Sequence, residues 1–154
     1  MSLESLAKLS PPLLEGLSTE HLSFLESVSS ELEFETGEII FEEDDPAPTF
    51  YVLESGRVGL EVDFPAGESM IVATLGPGDL LGISWLFPPA RWNWTARVLG
   101  RTRVVAFDAD AVRDRCTVDT DLALHVYATI AAAAIRRLNA TRVRLLDLYP
   151  GHSS

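Results

Sequence analysis

A mainly β fold with flanking helices, an antiparallel β-roll of jelly-roll type followed by a long C-terminal dimerisation helix, is predicted by three observations. Short apolar runs of β-type composition alternate with turn residues between about 30 and 107. An amphipathic stretch precedes them, and a helical pattern fills about 108–148. No linker, low-complexity tract or repeat divides the 154 residues, so a single domain over 1–154 is expected.

The first element is "LSTEHLSFLESV", residues 17–28. Its apolar positions 17, 22, 24, 25 and 28 share one helical face, and Ser18 is placed to cap it. The β-type runs follow as "LEFE", "EIIF", "TFYVLES", "RVGLEVDF", "MIVATL", "TARVLG" and "TRVVAFD". In "RVGLEVDF", Val58, Leu60, Val62 and Phe64 alternate with Gly59, Glu61 and Asp63, the period of a half-buried strand. Turn signals stand at Gly37, Asp44-Asp45-Pro46, Ser55-Gly56, Pro65-Ala66-Gly67, Gly76-Pro77-Gly78 and Gly100. After Phe107 the period becomes helical, with Asp108 as an N-cap for "DADAVRDRC". A second helix is expected from about Asp119 to Leu148, ended by Pro150-Gly151. Within it Tyr127, Ala131, Ala134, Leu138, Thr141, Leu145 and Leu148 recur at alternating steps of four and three. That spacing is a coiled-coil seam. A helix packed on its own roll gives a similar pattern, but thirty helical residues reach roughly 45 Å, which favours a homodimer.

Charge divides the chain. Residues 1–79 hold 17 acids and two bases, whereas residues 80–154 hold ten bases and six acids. The net charge of −11 opposes general contact with nucleic-acid phosphates, and a small anion should favour the second half. The N-terminus "MSLESLAKLSPP" lacks the features of a signal peptide, and no apolar run reaches a membrane span. The lone Cys116 suits a reducing compartment, so a cytoplasmic protein without membrane attachment is expected. His21, His125 and His152 fall outside the expected strands and make no metal cluster. Ser84 has no neighbouring histidine, and "LGPGDLLG" lacks the Lys-Ser/Thr of a P-loop, so no enzyme chemistry is indicated. "EEDD", residues 42–45, reads as a solvated turn. Arg136, Arg137, Arg142 and Arg144 read as a solvated face near the helix end.

The segments "GEIIFEEDD" (37–45), "FYVLESGRVGLEV" (50–62), "LGPGDLLG" (75–82) and "TARV" (95–98) occur in a characteristic order. With the flanking helices, they resemble the cyclic-nucleotide-binding domain of the catabolite-activator/Fnr superfamily over about residues 15–148. Where that family usually has a glycine, this chain has Asp44, a residue that tolerates positive φ. The resemblance implies that the segment after Gly82 is a phosphate-binding cassette. There, free N–H groups at a short helix start cradle a cyclic phosphate. The candidate ligand-binding residues are Gly82, Ile83, Ser84, Trp85, Arg91, Trp94, Thr95 and Ala96.

The cassette departs from the family pattern. Ile83 stands where an acid binds ribose, and Trp94 stands where an arginine grips phosphate. Each lost charge-assisted contact is worth about 1.5–3 kcal/mol, so a cyclic nucleotide should bind weakly. Arg91 or Arg97 could supply a replacement cation. Arg91 is the better placed, since Arg97 points away from Trp94 on an ideal strand. Trp85, Trp92 and Trp94 could stack on a planar ligand, contact Arg91, or fill the pocket themselves. The resemblance therefore implies a non-enzymatic sensor that binds a nucleotide or other small anion. Such a sensor would signal through its dimer helix to a separate, unnamed protein partner. The alternative is an effector-blind dimeric interaction protein plugged by its tryptophans. Only Tyr149–Ser154 follow the long helix, so a form without a helix-turn-helix, not binding DNA alone, is expected.

Overall fold

A computed structural model describes residues 16–65, 67–83, 85, 91–92 and 94–148; of Arg144, Leu145 and Leu148 it describes the backbone alone. The element order is α1 (Thr19–Ser27), β1 (Ser29–Phe34), β2 (Ile39–Phe41), β3 (Thr49–Asp63), β4 (Ser69–Leu75), β5 (Leu80–Leu81) and β6 (Thr95–Asp108). Two helices follow, α2 (Ala109–Cys116) and α3 (Thr120–Leu148). The six described strands form one antiparallel sheet in the order β1-β6-β3-β4, with β2 on β6 and β5 on β3. The expected β-roll with its long terminal helix is the observed fold.

Three caps follow local chemistry. The Ser18 hydroxyl accepts from His21 N–H, Asp108 from Ala111 N–H, and Asp119 from Leu122 N–H. Each side chain satisfies a backbone donor that a helix start leaves without a partner. The expected stop at Pro150-Gly151, the tail Tyr149–Ser154, the first fifteen residues and His152 lie outside the described residues, as does Ala66 of one turn signal.

Two differences concern the strands. The separate runs "TFYVLES" and "RVGLEVDF" form one strand of 15 residues, and "TARVLG" with "TRVVAFD" forms one of 14. Ser55-Gly56 and Gly100 lie at register shifts in the β3–β6 ladder, so they bend strands instead of ending them. Gly56 has φ +98°, and a methyl group there would stand 2.3 Å from the Thr102 hydroxyl. Only glycine allows that approach.

The second difference is burial. Val58, Gly59, Leu60 and Glu61 are all buried, while Phe64 is exposed. β3 has neighbours on both sides, and a bulge between Leu60 and Glu61 breaks the alternation. Glu61 is covered by an ion pair to Arg97 Nε at 2.9 Å. One core joins roll to helices: Phe50, Val52, Leu53, Phe107, Leu122, Val126, Ile130 and Ala133 belong to it.

Candidate functional site

The expected cassette begins at the end of β5. Gly82 has φ +94°, and a Cβ placed on it would lie 2.5 Å from Cζ3 of Trp92. The Trp92 ring thus rests directly on Gly82. It is 3% exposed and stacks on Phe41, with centroids 3.8 Å apart and planes 11° apart. Its backbone is fixed to the β2–β3 loop: Trp92 N–H donates to Asp45 O, and Asp44 N–H donates to Trp92 O, both at 2.9 Å. That loop turns at Asp44, whose φ is 71°, the backbone expected of it.

Trp85 fills the adjoining space. It is 1% exposed and stacks on Phe50 at 4.5 Å, and Phe50 stacks on Phe107 at 5.0 Å. Trp94 is partly buried against the same core. The indole nitrogens of Trp85 and Trp94 are buried without an acceptor among the described residues. Leaving such a donor unpaired costs about 1–3 kcal/mol. Burying an indole removes about 150–250 Å² from water, worth roughly 4–6 kcal/mol. Packing wins, and the rings stay inside.

The remaining cassette residues have partners of their own. Arg91 is exposed, is bridged to Pro46, and its guanidinium donates to Asp44 O at 2.8 Å. Arg97 is held by Glu61 and by Gly37 O at 3.3 Å. The Thr95 hydroxyl accepts from Glu43 N–H at 3.1 Å, and Ala96 is buried opposite Phe41 and Leu60. Ile83 is half-buried against the core. Ser84, the short helix expected after Gly82 and Pro88-Pro89 lie outside the described residues.

Two arginines that the sequence reading gave no role at the site hold its backbone from behind. Arg113 of α2 donates to Trp85 O and lies 6.0 Å above the Trp85 ring, so the cation at a tryptophan here comes from α2. Arg137 of α3 donates to Leu80 O and is 7% exposed. The reading of Arg137 as solvated is therefore corrected, while Arg136 and Arg142 are exposed. The available signal was phase: 137 continues the buried row Leu122, Val126, Ile130 and Ala133. Burial lowers the Arg137 pKa to about 10, with the Asp79 carboxylate opposing and Arg136 adding to the shift.

On the seam proposed for α3, Tyr127, Ala131 and Leu138 are exposed, while Ala134 and Thr141 are half-buried. Leu145 and Leu148 have side chains outside the described residues. Leu124, Ile135, Val143 and Leu146 are also exposed. No helix among the described residues is long and apolar enough to cross a membrane.

Comparison with known proteins agrees with the fold. Residues 31–119 match the cyclic nucleotide-binding domain family. The CRP-like cAMP-activated global transcriptional regulator of Mycobacterium tuberculosis is 25% identical over 136 residues, which are 88% of this chain and 59% of the relative. The chain thus spans about three fifths of that relative's length. The N-terminal domain of a transcriptional regulator from Streptomyces coelicolor A3(2) is 28% identical with a TM-score of 0.64, covering 90% of this chain and 94% of that one. The catabolite activator protein of Thermus thermophilus is 25% identical with a TM-score of 0.69, covering 90% and 63%. Together with the β-roll, the long α3 and the turn at Gly82, the match over 31–119 shows that this chain belongs to the cyclic nucleotide-binding domain family.

Proposed function

We propose that this chain is a non-enzymatic regulatory domain whose cyclic-nucleotide cassette is filled by its own tryptophans. In this reading it works as a homodimer through α3 without a cyclic-nucleotide switch. The observation that carries it is the Trp92 ring lying on Gly82, the glycine that opens the cassette in relatives of this type. Ile83 and Trp94 replace the ribose acid and the phosphate arginine, so a nucleotide entering here would lack both charged contacts. It would also have to displace a stacked indole. Truncating a buried tryptophan costs about 3–5 kcal/mol, which corresponds to more than about a hundredfold in affinity.

A ligand gripped by Arg91 fits less well, because Arg91 is exposed and tied to the β2–β3 loop at Asp44 O, while the Trp92 ring covers Gly82. Dimerisation is supported by the apolar surface on α3. Leu124 and Leu138 are 71% and 69% exposed and lie two heptads apart, with Tyr127, Ala131 and Ile135 between them. Water-exposed leucines at that spacing are suited to pack against a second copy. Signals would leave through α3, which Arg137 ties to Leu80 O beside the cassette.

Sedimentation of the chain with and without cAMP tests the reading. A dimer whose mass and shape ignore the nucleotide is expected. A monomer, or a cAMP-driven change of shape, would overturn it.

A further inference from the structure

We propose that the cavity between β4, β5 and α3 binds a small oxyanion on Arg136 and Arg137, at a site separate from the tryptophan-filled cassette. It has a volume of about 200 Å³ and is lined by Ala73, Thr74, Leu75, Asp79, Leu80, Ala133, Arg136, Arg137 and Ala140. Gly82, Ile83, Trp94 and Thr95 are not among its lining residues. The inference goes beyond the reading above and does not depend on it.

Size selects the ligand class. Drug-sized ligands occupy pockets of about 300–1,000 Å³, so this cavity is too small for a whole nucleotide. At about 30 Å³ per water, it holds the equivalent of roughly six or seven waters, room for a phosphate or short carboxylate with little hydration. Charge selects the sign. Two arginines and one aspartate line it, and the Asp79 Oδ2 already accepts from Gly76 N–H at 2.8 Å. The lining therefore carries a net positive charge within a strongly negative protein.

Chemistry selects the grip. Arg137 is buried, and among the described residues it donates to Leu80 O. A guanidinium carries five N–H donors in a rigid fork, so one carbonyl leaves donors for an oxyanion, and such forks match phosphate or carboxylate oxygens in pairs. Burial lowers its pKa to about 10, the direction expected where desolvation outweighs the nearby carboxylate. Arg136, one residue away and exposed, adds the second cation, and Thr74 adds a hydroxyl from β4. A bound anion would bridge β4 to α3 and tighten the contact that positions the helix.

Amide-shift titration of the full chain tests this, with inorganic phosphate in one arm and acetate in another. Sodium chloride at matched ionic strength is the control. Saturable shifts confined to Ala73–Leu75 and Ala133–Ala140 are expected with phosphate or acetate, and the stronger arm identifies the oxyanion. Arg136→Ala leaves the buried core untouched and should weaken binding about tenfold, the value of one charged hydrogen bond. Arg137→Lys, which keeps charge but loses the fork, should weaken it similarly. Shifts equal to those in chloride, shifts centred on Gly82 and Thr95, or unchanged affinity in Arg136→Ala would overturn the assignment. Cyclic-nucleotide titrations read the cassette separately, so the two proposals fail independently.

Discussion

Replacing Gly82 with alanine, alone and together with Trp92→Ala, measures whether the indole occupies the cassette. At φ +94° an alanine is strained by about 1–2 kcal/mol whatever surrounds it. Its methyl would also stand 2.5 Å from the Trp92 ring, and such overpacking costs about 1–3 kcal/mol more. Gly82→Ala should therefore cost about 2–5 kcal/mol in the parent, but only about 1–2 kcal/mol when residue 92 is alanine. Trp92→Ala alone should cost about 3–5 kcal/mol, because it empties a site stacked on Phe41. Urea unfolding of the four proteins gives the coupling energy, expected to be about 1–3 kcal/mol. All four proteins should be measured at one matched concentration, so that any self-association does not shift between variants. Equal costs of Gly82→Ala in both backgrounds would refute the contact, and with it the filled cassette.

Three further outcomes follow from named groups. Leu124→Glu with Leu138→Glu should give a folded monomer by light scattering, since both side chains are exposed within one chain; a persisting dimer would place the interface elsewhere. Glu54 is buried with one carboxyl oxygen unpartnered, and burial, helped by Glu31, raises its pKa. A folded-state pKa above the unfolded value means stability falls as pH rises between the two. Glu54→Gln should therefore stabilise at pH 7 and lose that advantage near pH 4, as read by thermal unfolding; an equal effect at both would refute it. Asp119 is lowered by its hydrogen bond from Leu122 N–H and by His21, so its contribution is present above the unfolded pKa and lost as pH falls through the lower folded one. Asp119→Ala should lower stability at neutral pH and flatten the acid-side loss, and an unchanged acid limb would count against that assignment.

Local patterns in the sequence carried the element types and the caps. Ser18 and Asp108 stand before helical periods and cap their helices as expected, while Asp119, read as the approximate start of the last helix, caps it from the preceding position. Strand ends were harder to read, because Gly56 and Gly100 signal turns but bend continuous strands, a distinction set by pairing across β3 and β6. At the expected cassette, the resemblance sets Ile83 and Trp94 at positions where an acid and an arginine are expected, and that is the basis of the proposed loss of charge. Which tryptophan lies on Gly82 was not legible, since that depends on how the β2–β3 loop pairs with Trp92. Arg137 was misread for a related reason. Charge suggests solvent, but its phase on α3 directs it inward, where Leu80 O accepts from it.

Calorimetric titration of the unmodified chain with cAMP tests the central claim most directly. On the proposed reading, Ile83 and Trp94 supply no charged contact and Trp92 covers Gly82, so no saturable heat is expected up to about 1 mM nucleotide. Heat that saturates with a low-micromolar dissociation constant would contradict the account. It would show that the indole leaves Gly82 readily and that another cation holds the phosphate.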